Sequence, residues 1–214
     1  MKVAIFGCSF TYGMKYIENW HNWVEEFSNI RPDLYIDNYS NSGSSLRYSV
    51  ELIDAVEKEY DKIILQITNP GRFTYKIKEW KHPSEMLANR NNHRWISTEN
   101  ADRYYRFVNP SVATIVSKNV DDDKTFAEEY YKRIDLSEIT IEHNSLISYV
   151  RKKTDFIYCH YSNYVNFNYD SDIPVIENQI TKTMLESFMG DESGHFNVEG
   201  NKWVAQWINS NIDF

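Results

Sequence analysis

MKVAIFGCSFTYG, residues 1–13, decides how the rest of the chain reads. Val3 to Phe6 are consecutively apolar and Gly7 closes the run, which predicts a short strand buried on both faces. A serine, Ser9, follows two positions after the glycine. Taken alone it reads as a turn or helix-capping serine, because such positions favour hydroxyl side chains. Whether it also reacts depends on what the remainder of the chain brings to it.

Working outward, the strand is followed by an alternation of element types. Ile17, Trp20, Trp23, Val24 and Phe27 recur at helical spacing over residues 16–30, and Arg31-Pro32 ends the run. A second, more polar strand is expected at 35–41, and a helix at 46–60 with Leu46, Val50, Ile53 and Val56 on one stripe. KIILQIT, 62–68, is the third strand. Strand and helix alternating in this way predict a parallel sheet with helices on both faces. From about 74 to 123 no period is sustained. A structureless loop of that length is improbable in a compact domain, so the segment is read as an insertion with short helices of its own. SVATIVSKNV, 111–120, is ambiguous between strand and helix. Helical spacing resumes from 124 to about 153, with a break near Leu136-Ser137. DFIYCHY, 155–161, is the fourth strand, IPVIE, 173–177, a fifth short strand or extended loop, and a helix capped by Asn197 closes the chain. The expected fold is therefore α/β: a flavodoxin-like, three-layer α/β/α single domain over 1–214, with a central parallel sheet of about four to five strands and an insertion after the third.

Composition narrows the function. With 23 Lys and Arg against 31 Asp and Glu, the net charge is −8, and no basic block is present to follow a phosphate backbone, so no nucleic-acid partner is expected. The apolar start is too short for the core of a signal peptide, and no run approaches a membrane span. The expectation is a soluble, cytoplasmic protein with no membrane partner. Cys8 and Cys159 read as reduced thiols. His21, His82, His93 and His143 lack ligand spacing, so no metal and no cofactor is expected, and His160 reads as a satisfied packing histidine. The mean hydropathy is −0.60, yet aromatic residues reach 15%. That content suits stacking on sugars or reflects the Asn, Lys, Ile and Tyr bias of AT-rich genomes.

In an open parallel sheet, ligands collect at the carboxyl ends of the strands. Ser9 follows strand one, Asn41-Ser42-Gly43-Ser44-Ser45 follows strand two, and Thr68-Asn69-Pro70-Gly71-Arg72 follows strand three. Asp191-Glu192-Ser193-Gly194-His195 stands just before the last helix. These blocks, in this order, resemble the SGNH hydrolases, the GDSL-type esterases and lipases. The resemblance implies Ser9 as nucleophile, His195 as base and Asp191 or Glu192 as its carboxylate: spacing selects Glu192, residue type Asp191. It further implies an oxyanion hole from the Ser9 and Gly43 N–H groups and the Asn69 amide, with Thr68 or Gln66 as rivals for the last. Cys8 stands where the family has aspartate. Arg72 and Arg47 follow two of the loops and are weaker candidates for holding a substrate carboxylate or phosphate. The implied activity is serine ester hydrolysis of small acyl esters on a small molecule or carbohydrate, with O-acetyl groups on a sugar as the specific expectation. The alternatives are a non-catalytic binding module on the same fold, or a phospholipase or thioesterase.

Overall fold

The computed structural model describes residues 1–13, 22–76, 82–90, 93–96, 100–101, 103–109, 114–115, 135–161, 172–190 and 194–214. The stretches 16–21 and 124–134, both read as helical, lie outside the described residues, as does His21.

In chain order the elements are β1 (Lys2–Phe6), α1 (Ser9–Tyr12), α2 (Trp23–Ile30), β2 (Tyr35–Asn38), α3 (Leu46–Val56), β3 (Lys62–Ile67), β4 (Phe73–Lys76), β5 (Leu87–Arg90), β6 (His93–Ile96), β7 (Tyr105–Asn109), β8 (Thr114–Ile115), α4 (Leu136–Val150), β9 (Phe156–Cys159), α5 (Lys182–Phe188) and α6 (Val198–Asn211). The main sheet runs β5-β6-β2-β1-β3-β9. Every pairing in it is parallel except β5 on β6. Strand order reverses between β1 and β3, the place where doubly wound sheets open a crevice for ligands.

β1 shows why the sheet has helices on both sides. Its side chains alternate: Val3 and Ile5 join Trp23, Phe27, Val204 and Ile208 of α2 and α6, while Ala4 and Phe6 join Val50, Ile53, Ile147 and Val150 of α3 and α4. Both sets are fully or almost fully buried, so a strand apolar at every position is the only kind that fits between two helical layers.

Three expectations change. The helix read from residue 16 begins at Trp23, because Asn22 is extended and its side chain accepts the Glu25 N–H as an N-cap, while its Nδ2 donates to Tyr12 O at 2.9 Å. The segment read as an insertion of short helices does hold helical turns, a 3-10 helix at Pro83–Met86 and helical residues at 100–101, but it also supplies β5 and β6, which widen the main sheet to six strands, and β4, β7 and β8, a separate antiparallel sheet. These strands run from two to five residues, too short to register a period. IPVIE contributes one parallel bridge, Val175 to Cys159, before a 3-10 turn at Ile176–Gln179. Among the described residues no helix is long and apolar enough to cross a membrane.

Candidate active site

The chain turns sharply at Gly7 because something is packed against it. A Cβ there would lie 2.7 Å from both Gln66 Oε1 and Thr11 Oγ1, so any side chain would displace the turn. Gln66, on β3, is the bracket beneath it. Its Oε1 accepts from Cys8 N at 3.1 Å, Cys8 Sγ at 3.5 Å and Thr11 Oγ1 at 2.9 Å. Its Nε2 donates to Ile67 O at 2.9 Å. Thr11 Oγ1 in turn accepts from Trp23 Nε1 at 3.3 Å. Ser9 is thereby presented at the start of α1, immediately past the carboxyl end of β1.

His195 reaches it from the other end of the sequence. Nε2 lies 2.8 Å from Ser9 Oγ, and the two residues are 8% and 4% exposed. The histidine sits on a tight return between α5 and α6. There Met189 bridges Phe196, and the Gly190 and Asn197 N–H groups donate to His195 O and Phe188 O, each at 2.7 Å. Tyr161 donates its hydroxyl to Gly194 O at 2.6 Å. Gly194 has φ +86°, and a Cβ on it would fall 2.9 Å from that same hydroxyl, so glycine is needed twice over. Asn197 caps α6 through Gly200 N, as expected from the sequence.

The Phe10 ring stacks on the His195 ring at 4.6 Å and on the His160 ring at 4.5 Å. His160 is wholly enclosed, and burial, with His195 beside it, pushes it down from 6.5 to about 3. It is a packing histidine, but not a satisfied one: neither ring nitrogen has a hydrogen-bond partner.

The loop after β2 is tied to the same turn. Gly7 O accepts from Asn41 N at 3.3 Å and from Ser44 Oγ at 2.8 Å, which holds Gly43, at φ +76°, beside the Ser9 elbow. After β3, Asn69 Oδ1 accepts from Gly71 N at 2.9 Å, leaving Nδ2 as a donor with no partner among the described residues. Of its rivals, Gln66 is committed beneath the elbow, and the Thr68 hydroxyl is buried without a partner. Arg47 is half exposed and bound to Glu142, so its charge is already spent. Arg72 has Nε and Nη1 buried and unpartnered, unlike the solvated side chain that such a loop position suggests. Asp191 and Glu192 lie outside the described residues.

Sequence reasoning missed the roles of Gln66 as bracket, of Phe10 in the ring stack and of Tyr161 as anchor; it placed His160 at the carboxyl end of the fourth strand as a packing histidine, but not its stack on Phe10. Both cysteines are free and fully buried, and burial pushes the Cys159 thiol up to about 12. Among the described residues no cluster of His, Cys, Asp and Glu has the arrangement of a metal site.

No known family profile and no curated protein matches the sequence. Solved structures do match the fold. A catalytic mutant of an acetylxylan esterase from Geobacillus stearothermophilus superposes with TM-score 0.51 at 12% identity, over 100% of this chain and 94% of that one. A second catalytic mutant of the same esterase gives the same figures. A member of the lipolytic protein G-D-S-L family from Veillonella parvula DSM 2008 matches with TM-score 0.46 at 13% identity, over 99% of this chain and 100% of that one. At such identities the likeness speaks for architecture, and the fold of this chain is the one that its resemblance to the SGNH hydrolases implied.

Proposed function

We propose that the protein is a serine esterase of the SGNH type that hydrolyses small acyl esters. The observation carrying this reading is the 2.8 Å contact between His195 Nε2 and Ser9 Oγ, within reach for direct proton transfer. His195 takes the hydroxyl proton as Ser9 Oγ attacks the ester carbonyl, and the same imidazolium then protonates the departing alcohol. The Ser9 and Gly43 N–H groups and Asn69 Nδ2 receive the oxyanion, each such donor contributing roughly 10²–10³ in rate. Asp191 or Glu192 holds the imidazole in the required tautomer and stabilises its cation. Water, activated by His195, releases the acid and restores Ser9. The steps use only side chains, backbone and water. Acetyl groups on a sugar are the proposed substrate, prompted by the aromatic content and by an acetylxylan esterase having the same fold.

Wild-type protein is expected to label with a fluorophosphonate probe and to hydrolyse 4-nitrophenyl acetate. Ser9→Ala is expected to abolish labelling and to lower turnover by roughly 10⁴-fold or more. A wild type that neither labels nor hydrolyses would leave a binding module on an esterase fold, and the enzyme reading would be wrong.

A further inference from the structure

A cavity of about 30 Å³ opens between the first turn of α3, the turn joining β3 to β4, and α4. Ser45, Leu46, Arg47, Arg72, Glu142 and His143 are in its wall. Two guanidinium groups and one carboxylate belong to residues of this wall, and only one of the guanidinium groups is paired. Arg47 Nε and Nη2 both bind Glu142 Oε1, at 2.8 and 2.5 Å. Arg72 is left with Nε and Nη1 buried and no hydrogen-bond partner. A guanidinium does not shed its proton when buried, so Arg72 carries a full charge with donors unanswered. Groups of that kind are costly unless an anion meets them.

The wall offers more to an anion than Arg72. The first turn of α3 presents the positive end of an 11-residue helix; Ser45 Oγ caps Tyr48 N and Ser45 N donates to Thr74 Oγ1, which leaves the Leu46 and Arg47 N–H groups without an acceptor within the helix. The volume admits a head group of a few atoms, and excludes a sugar ring. Its position ties it to the reaction site. Arg72 N donates to Asn69 O at 3.1 Å, so Arg72 belongs to the turn that carries the proposed oxyanion donor. Ser45 follows Gly43 by two residues.

We infer that this cavity is an anion subsite in which Arg72 receives a carboxylate carried by the substrate, so that the preferred esters are those of acidic molecules, uronic-acid sugars among them. That the carboxylate belongs to a substrate rests on the esterase reading; that the cavity binds it does not. Arg72 forms a forked, charge-assisted pair with the carboxylate, while Arg47 stays on Glu142 at the rim.

The test is calorimetric titration at low salt with sodium glucuronate, glucose and inorganic phosphate. Wild type is expected to bind glucuronate and not glucose. Arg72→Gln is expected to weaken glucuronate binding about tenfold or more, with Arg72→Lys between the two. Ser9→Ala is expected to bind glucuronate as wild type does, which separates this inference from the esterase reading. Absence of glucuronate binding, or equal binding in Arg72→Gln, overturns the subsite. Phosphate binding far tighter than glucuronate makes it a site for a free anion and overturns the substrate assignment. Folding is checked with Arg72→Met, whose melting temperature without ligand should equal or exceed that of wild type, since an unpaired buried charge is removed. A drop of several degrees would mean that Arg72 serves the fold instead.

Discussion

At Gly7 and Cys8 the chemistry of single residues is decided by one neighbour. The Gln66 amide meets Cys8 with both its ends: Oε1 accepts from the Cys8 N–H and, at 3.5 Å, from the thiol, while Nε2 lies 3.4 Å from Sγ, so the small buried thiol serves as a weak donor and a weak acceptor at once. Gln66→Ala strands the buried Cys8 N–H and Thr11 hydroxyl and opens a void. Each stranded donor costs about 1–3 kcal/mol, so a stability loss of several kcal/mol is expected in urea unfolding. His160 supplies a pH signature. Burial, and His195 beside it, push it down from 6.5 to about 3 in the folded chain, so between those values the unfolded chain binds a proton that the folded chain refuses. Its contribution is complete above pH 6.5 and is lost as pH falls through that window. His160→Phe keeps a ring against Phe10 and removes the titration. The fall of the urea midpoint on acidification from pH 6.5 towards 4 should be shallower in the variant, and an unchanged slope would refute the assignment.

At the scale of elements, the attachment of β6 to β2 rests on a polar contact. Asp37, fully buried on β2, receives Arg94 Nε of β6 at 2.7 Å and Arg94 Nη2, and it also accepts from the Tyr60 hydroxyl. Burial, and after it the hydrogen bond to Asp37, push the Tyr60 phenol well above its ordinary range, so it stays a donor. Arg94→Met leaves the carboxylate buried without its cation and is expected to cost about 3–5 kcal/mol. The double variant Asp37→Leu with Arg94→Met should recover much of that loss, and additive losses by thermal unfolding would show that the two do not act as a pair. This contact is also why β6 escaped the sequence. Hydrophobic patterning reports strands that bury apolar faces, whereas Arg94 and Asp37 meet as polar residues on neighbouring strands. The cap at Asn197 was legible, because an asparagine before an apolar stripe acts within its own segment. The cap at Asn22 was not, because Asn22 sits inside a run of helical spacing and is held in its extended conformation by a buried bond to Tyr12 O, ten residues earlier.

The whole molecule is held by two apolar layers that share β1. Ile5, with no exposed surface, stands in the middle of one of them, and Ile5→Ala is expected to cost about 2–5 kcal/mol by thermal unfolding, since helices on both sides prevent collapse onto the void. The sequence by itself determined this layering. Val3 to Phe6, apolar at every position, need cover on both faces, and the alternation with helical stripes supplies it. It also determined that Ser9, Gly43 and Asn69 stand at one edge of the sheet, since parallel strands end on the same side. The tertiary structure alone decided that His195 Nε2 meets Ser9 Oγ across 186 positions, that Arg47 is neutralised by Glu142 while Arg72 is not, and that residues read as an insertion complete the sheet. The physical reason is range. Burial patterns and caps act over a few residues, whereas a hydrogen bond or an unpaired charge between distant segments depends on distances that only the packed chain sets.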